Sequence, residues 1–89
     1  MKSIFVFGSN LGGRHSKGSA LEAIQNHGAI YGQGEGLQGN SYAIPTKDKN
    51  LKVLNLNEIA IYINRFIEFA KENSDMQFNV VKIGCGLAG

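Results

Sequence analysis

Hydrophobic and polar positions alternate between two periods along this chain, and the changes of period mark its elements. Ser3-Ile-Phe-Val-Phe7 is a β-branched and aromatic run closed by Gly8, which predicts a strand buried on both faces. Residues 8–15 read as a loop. A helix is then expected over 17–27, because Ala20, Leu21, Ala23 and Ile24 form a narrow apolar stripe, with Ser16 or Ser19 as cap and Gly28 at the C′ position. After a glycine-rich stretch, residues 41–44 form a short strand-like run, and Pro45 opens a polar loop. Ile59, Ile63, Phe66, Ile67 and Ala70 recur at intervals of three and four, which predicts a helix over 57–72 capped by Asn55 or Asn57. Tyr62, Phe66 and Phe69 lie on it at core-like spacing. Phe78 to Ile83 completes the set as a strand that Gly84-Cys85-Gly86 stops. The order strand, helix, strand, helix, strand predicts right-handed crossovers and a small parallel sheet.

In such a sheet ligands bind beyond the carboxyl ends of the strands. That rule selects three loops: Gly8–Gly18, Pro45–Lys49 and Gly84–Gly89. The G-x-G-x-x-G spacing at Gly34, Gly36 and Gly39 fails the same rule, since a dinucleotide fingerprint must open a helix and this one leads into NSYAIP. It reads as a connection between extended pieces. By contrast, GSNLGGRHSKGSA places four glycines between a buried strand and a helix start, where free amides and the helix dipole favour an anion. It is not a P-loop, because Ser19 and Ala20 follow Gly18 where Lys and Ser or Thr are required. The competing reading is a loop that needs only glycine torsions.

Composition narrows the class. Eighty-nine residues make one domain, 1–89, and the single cysteine, Cys85, cannot form a disulfide within the chain and fits a reducing, cytoplasmic setting. The apolar run near the N-terminus is too short for a signal-peptide core or a membrane span. A net charge of +2 is too small to argue for nucleic acid, but Arg14, His15 and Lys17 cluster among glycines, and Lys47, Lys49 and Lys52 follow Pro45. Charge placed this way suits a small anionic ligand. His15 and Cys85 could form a nucleophilic pair, with a small structural cysteine as the alternative, and two histidines and one cysteine far apart are no metal pattern.

These loops carry a resemblance. Asn10 with GGRHSKGSAL resembles the loop of macro domains that holds the ribose and phosphates of ADP-ribose. IPTKD resembles the strand-end segment of the macro domains that remove ADP-ribose from protein or DNA, both the terminal ADP-ribose protein glycohydrolase and the antitoxins paired with DNA-modifying ADP-ribosyltransferases. IGCGLAG resembles the GCGL loop of the same branch, and the chain is similar throughout to bacterial and phage proteins that open with FGSN and a GRHG-like loop. The resemblance implies a small, parallel-stranded, three-layer macro-like α/β domain, truncated at its C-terminus or completed by a second chain, so that the protein as given is incomplete or oligomeric. Its ligand would be ADP-ribose or a related NAD-derived nucleotide, with nucleic acid only as a modified substrate, no membrane partner and no cofactor. Gly8, Ser9, Asn10, Gly12, Gly13, Arg14, Lys17 and Gly18 would line one side, with Asn10 on the ribose, and Gly84, Cys85, Gly86 and Leu87 would face them. Lys47 would be the catalytic residue of an ADP-ribosyl glycohydrolase, acting at the anomeric carbon of the distal ribose. A nucleophilic lysine requires desolvation or a cationic neighbour, and Lys49 and Arg14 are the nearby cations. Ala88 stands where the glycohydrolase pattern has an acid. A non-catalytic nucleotide sensor or sequestering protein, and a purely structural or interaction protein, are the alternatives.

Overall fold

The computed structural model describes residues 2–81. Its elements run β1 (Lys2–Asn10), α1 (Gly18–Asn26), β2 (Gly36–Gln38), β3 (Ser41–Lys47), α2 (Leu56–Glu72) and β4 (Met76–Val80). The sheet order is β2-β3-β1-β4, with β1 parallel to both β3 and β4, as the sequence predicts for its three strands. The expectation of a wholly parallel sheet is corrected by β2, which pairs antiparallel with β3 through Gly36↔Ala43, Leu37↔Tyr42 and Gln38↔Ser41. Its three residues lie inside the glycine-rich stretch and carry too little apolar alternation to read as a strand.

β1 is the central strand, and its pleat sorts the interior into two cores. Ile4 and Val6 join Tyr42 and Ile44 on one face, where Tyr62, Phe66 and Phe69 of α2 and Met76 and Phe78 of β4 pack against them. Phe7 joins Ala43 on the other face, against Ala20 and Ala23 of α1. The helices therefore lie on opposite faces. Small alanines let α1 approach closely, while aromatic contacts fasten α2: Tyr42–Phe66 and Tyr42–Phe69 centroids are 5.0 Å apart and Phe66–Phe78 5.5 Å. Each such pair contributes about 0.5–1.5 kcal/mol beyond its burial.

The boundaries differ from expectation for local reasons. β3 runs through Pro45 to Lys47 instead of stopping at Ile44. Phe5 N–H donates to Asn40 O, so by alternation the Pro45 nitrogen points to the β2 side, where β2 has already ended and no hydrogen bond is lost. α1 has Lys17 as N-cap without a side-chain cap, since Gly18 turns the chain into the helix at φ 56° and leaves Ser16 too early and Ser19 inside the first turn. α2 is capped by Asn55, whose Oδ1 accepts from Glu58 N–H at 2.9 Å while its Nδ2 donates to Glu58 at 2.8 Å. The stripe on α2 is rotated from the predicted one. Ile59 is buried, but Ile63 and Ile67 are exposed and Tyr62 and Phe69 take the core. β4 begins at Met76, two residues early, and the predicted end at Ile83 lies outside the described residues.

Tyr42 generates a prediction about alkaline stability. Burial pushes its hydroxyl above the usual value of 10.0, with the Glu35 charge adding to the shift and Arg65 opposing it. The folded state thus holds this proton more tightly than the unfolded chain, so the contribution is complete below about pH 10 and is lost as pH rises through the folded value. Thermal melts of Tyr42→Phe should fall less steeply between pH 9 and 11 than those of the wild type, about the ordinary tyrosine value. Equal slopes would show that Tyr42 does not carry the loss.

Candidate functional site

All three parallel strands end on the same edge of the sheet, and two of the selected loops meet there. The strand β1 continues through Gly8, Ser9 and Asn10, which corrects the reading of these residues as loop. The side chains of Ser9 and Asn10 are committed inward. Ser9 Oγ donates to Gly34 O. Asn10 Oδ1 accepts from Arg14 N–H at 2.9 Å and its Nδ2 donates to Arg14 O at 3.1 Å, so the amide expected on a ribose instead braces its own loop. Ser9 and Asn10 are both buried.

His15 is 1% exposed and its Nε2 lies 2.8 Å from Gln33 O, with its ring edge-on to Phe7. A carbonyl partner makes Nε2 the donor, and Nδ1 has no hydrogen-bond partner among the described residues. His15 is thus a buried brace beneath the loop. Cys85, together with Gly84, Gly86 and Leu87, lies outside the described residues. His27 stacks flat on Phe5, with centroids 4.1 Å apart.

The glycine-rich stretch 32–39 now has an explanation. Gly32 N–H donates to Gly13 O at 2.8 Å, and a Cβ on Gly13 would overlap the Gly32–Gln33 backbone, while one on Gly34 would overlap the carbonyls of Asn10 and Leu11. Two backbones are in direct contact. Gly13 therefore faces this packing and not an open anion site. Gln33 and Gln38 close the stretch on itself: Gln38 Oε1 accepts from Ile30 N–H at 2.8 Å, and its Nε2 donates to Gln33 O at 3.0 Å.

The outer side of the edge is left to cations and amides. Arg14, Lys17, Lys47 and Lys49 are exposed, and none forms an ion pair with a described residue. Leu21 N–H donates to Lys17 O, so the amides of Gly18, Ser19 and Ala20 precede the first intrahelical acceptor, and the first turn of α1 holds no acid. Nothing lies within 4 Å of the Cβ position of Gly18. Lys47 is set by a bulge: the register passes from Ser9↔Pro45 to Asn10↔Lys47, skipping Thr46, and Leu11 N–H donates to Lys47 O at 2.9 Å. Beyond it, Lys49 Cα is 3.4 Å from the Cβ position of Gly12, so the two loops touch.

Comparison with protein-family models, with curated proteins and with solved structures finds no match. The site is therefore read from its own geometry. It places Gly12, Arg14, Lys17, Gly18 and Lys47 on two touching segments at one sheet edge, while Ser9, Asn10 and Gly13 are engaged in contacts within the protein. Asp48 was not anticipated. Its Oδ1 accepts from Asn50 N–H at 2.8 Å and Lys52 N–H at 3.0 Å, closing the turn that returns the chain to Val53 opposite Lys47. The readable signal was an aspartate followed by Lys-Asn, a composition that forms such turns. Among the described residues no group of three or more His, Cys, Asp or Glu gathers as a metal site, and no helix is long and apolar enough to cross a membrane.

Backbone contact at Gly34 and open space at Gly36 should differ in their effect on stability. Gly36 has φ 93° with only Gln33 Nε2 nearby, at 4.0 Å, so Gly36→Ala should cost about 1–2 kcal/mol of torsional strain. Gly34→Ala must push the touching loops apart and should cost more than about 3 kcal/mol. Urea melts compare them; equal costs would show that the loop contact does not form.

Proposed function

We propose that this chain is a macro-like, three-layer α/β domain that binds ADP-ribose or a related NAD-derived nucleotide at the carboxyl edge of its parallel strands. The observation that carries this reading is the uncapped, acid-free N-terminus of α1 with exposed Arg14 and Lys17 before it, at the same sheet edge as Lys47 and Lys49, none of the four having an ion-pair partner among the described residues. Amides and dipole there suit a diphosphate, and Arg14 and Lys17 add charge. Glu35, the acid of the glycine-rich stretch, is held by Arg65 at 2.9 and 3.2 Å on the other side of the sheet edge.

A second reading, hydrolysis of an ADP-ribosyl bond, is favoured by the bulge that sets Lys47 beside Leu11. In that reaction the amine, in its unprotonated form, attacks the anomeric carbon of the distal ribose, the modified protein or base departs with the bonding electron pair and takes up the proton the nitrogen sheds, and water then displaces the amine and returns a proton to it as ADP-ribose is released.

Calorimetric titration with ADP-ribose should show saturable one-to-one binding. Lys17→Glu should weaken it by about tenfold or more, equivalent to about 1.4 kcal/mol, since it reverses a charge at the helix start. Lys47→Ala should retain binding while abolishing release of ADP-ribose from modified protein or DNA, if the wild type releases it. Binding without release identifies a sensor or sequestering protein. Absence of binding by folded protein removes the nucleotide reading and leaves a structural role. Gly13 is unsuited to this test because its substitution forces the loops apart.

A further inference from the structure

Helix α2 is underused by the fold. Of its 17 residues only Ile59 is fully buried, and Leu56, Ile63 and Ile67 are 80%, 37% and 41% exposed. With Ala60 they follow a spacing of four, three and four, which is the seam of a helix that packs on another helix. At about 100° per residue, Ile63 and Ile67 lie roughly 160° around the axis from Arg65. Arg65 is tied to Glu35 on the β2 side, so this flank faces the opposite side, over β4. The flank carries one charge, Lys71 in the last turn, which pairs with Glu68 at 3.7 Å, while Glu58, Arg65, Glu68 and Glu72 project away from it.

Beneath it lies an open sheet edge. Among the described residues no strand pairs with the outer side of β4. Val81 N–H donates to Val6 O, so by alternation the amides of Phe78 and Val80 point outward. Val80 is 57% exposed on the α2 face, and MQFNV contains none of the charges or prolines that protect edge strands.

We propose that a second copy of this chain covers both features, with β4 pairing antiparallel to β4 of its partner and α2 lying beside the partner's α2. An antiparallel edge is complementary to itself under a two-fold axis, which here stands perpendicular to the sheet and brings both helices to the same face. The sheet then runs through eight strands. The exposed portions of Leu56, Ala60, Ile63, Ile67 and Val80 amount to roughly 400 Å², as large as the biggest patch on a typical monomer. That is about half of the ~800 Å² that each partner gives a stable interface, and the paired strand backbones and helix rims supply the remainder. A strip that is apolar from Leu56 to Ile67, with its single charge, Lys71, at the end and paired to Glu68, beside an unprotected strand edge fits a copy of itself better than a charged partner.

Sedimentation equilibrium on the 89-residue chain should give twice the 9.6 kDa chain mass. Replacing Ile63 and Ile67 together by Glu should raise the dimer dissociation constant by about 100-fold or more with helical circular dichroism retained, since both are surface positions in the monomer. Ile61→Glu, equally exposed but on the Arg65 side, should leave it unchanged. Hydrogen exchange should find the Phe78 and Val80 amides protected in the wild type and fast in the double variant. A wild-type chain that remains monomeric at its highest soluble concentration overturns the proposal. So does dissociation by Ile61→Glu to the same degree, or protection of those amides in a monomer, which would show that the chain covers its own edge.

Discussion

The contact between the loop after β1 and the glycine-rich stretch constrains everything at the candidate site. Side-chain-free backbone meets side-chain-free backbone at Gly13, Gly32 and Gly34, with Gly32 N–H on Gly13 O and His15 Nε2 on Gln33 O. Because the loops are this close, the side chains of Ser9, Asn10 and His15 turn to internal partners, and among the described residues one ring nitrogen of His15 has none. What the arrangement leaves outward is a helix start and flexible cations. On the proposed reading, recognition at this edge depends on backbone amides and charge rather than on fixed polar side chains.

The pleat of β1 turns that local clasp into a whole domain. Phe7 packs on Ala20 and Ala23 beneath the loop, whereas Ile4 and Val6 serve the aromatic cluster on the other face. α1 and the loop preceding it rest on the first core, so the direction of the helix start is fixed by alanines that admit no other spacing. α2 rests on rings. The β3 end that carries Lys47 is common to both faces, since Tyr42 and Ile44 point one way and Ala43 the other.

Parallel strands and both helices were legible because their signals are periodic: the SIFVF run, the alanine stripe and the Phe66–Phe69 spacing each report burial directly. The decisive misreadings occurred where tertiary contact replaces local pattern. Pro45 suggested the end of a strand, and only the absence of β2 beside it makes the strand's continuation free of cost. Asn10 after a strand suggested a ligand contact, but the same amide satisfies two backbone groups four residues on. Ile63 and Ile67 extended the apolar stripe by spacing alone, and the core had room for only one side of it. Glycines pointed to a site in Gly8–Gly18 and away from one in Gly32–Gly39; the structure shows the two stretches as halves of one contact, a relation that no linear spacing contains.

Charge at the edge gives the site a direction. Arg14 and Lys17 stand at the start of α1 with no acid in its first turn, whereas Lys47 and Lys49 bracket Asp48, whose carboxylate is held in place by two backbone amides. An anion near Lys47 meets that fixed negative charge, and one near Lys17 meets only amides and the positive helix end. On the proposed reading, the diphosphate belongs on the α1 side and the uncharged distal ribose on the Lys47 side. That orientation puts the anomeric carbon next to the one lysine positioned by a bulge, which is where the second reading requires it. A ligand carrying its charge at the opposite end would have to approach Asp48 and forgo the helix start, so the polarity of the edge favours nucleotides whose phosphates are separated from the reacting sugar.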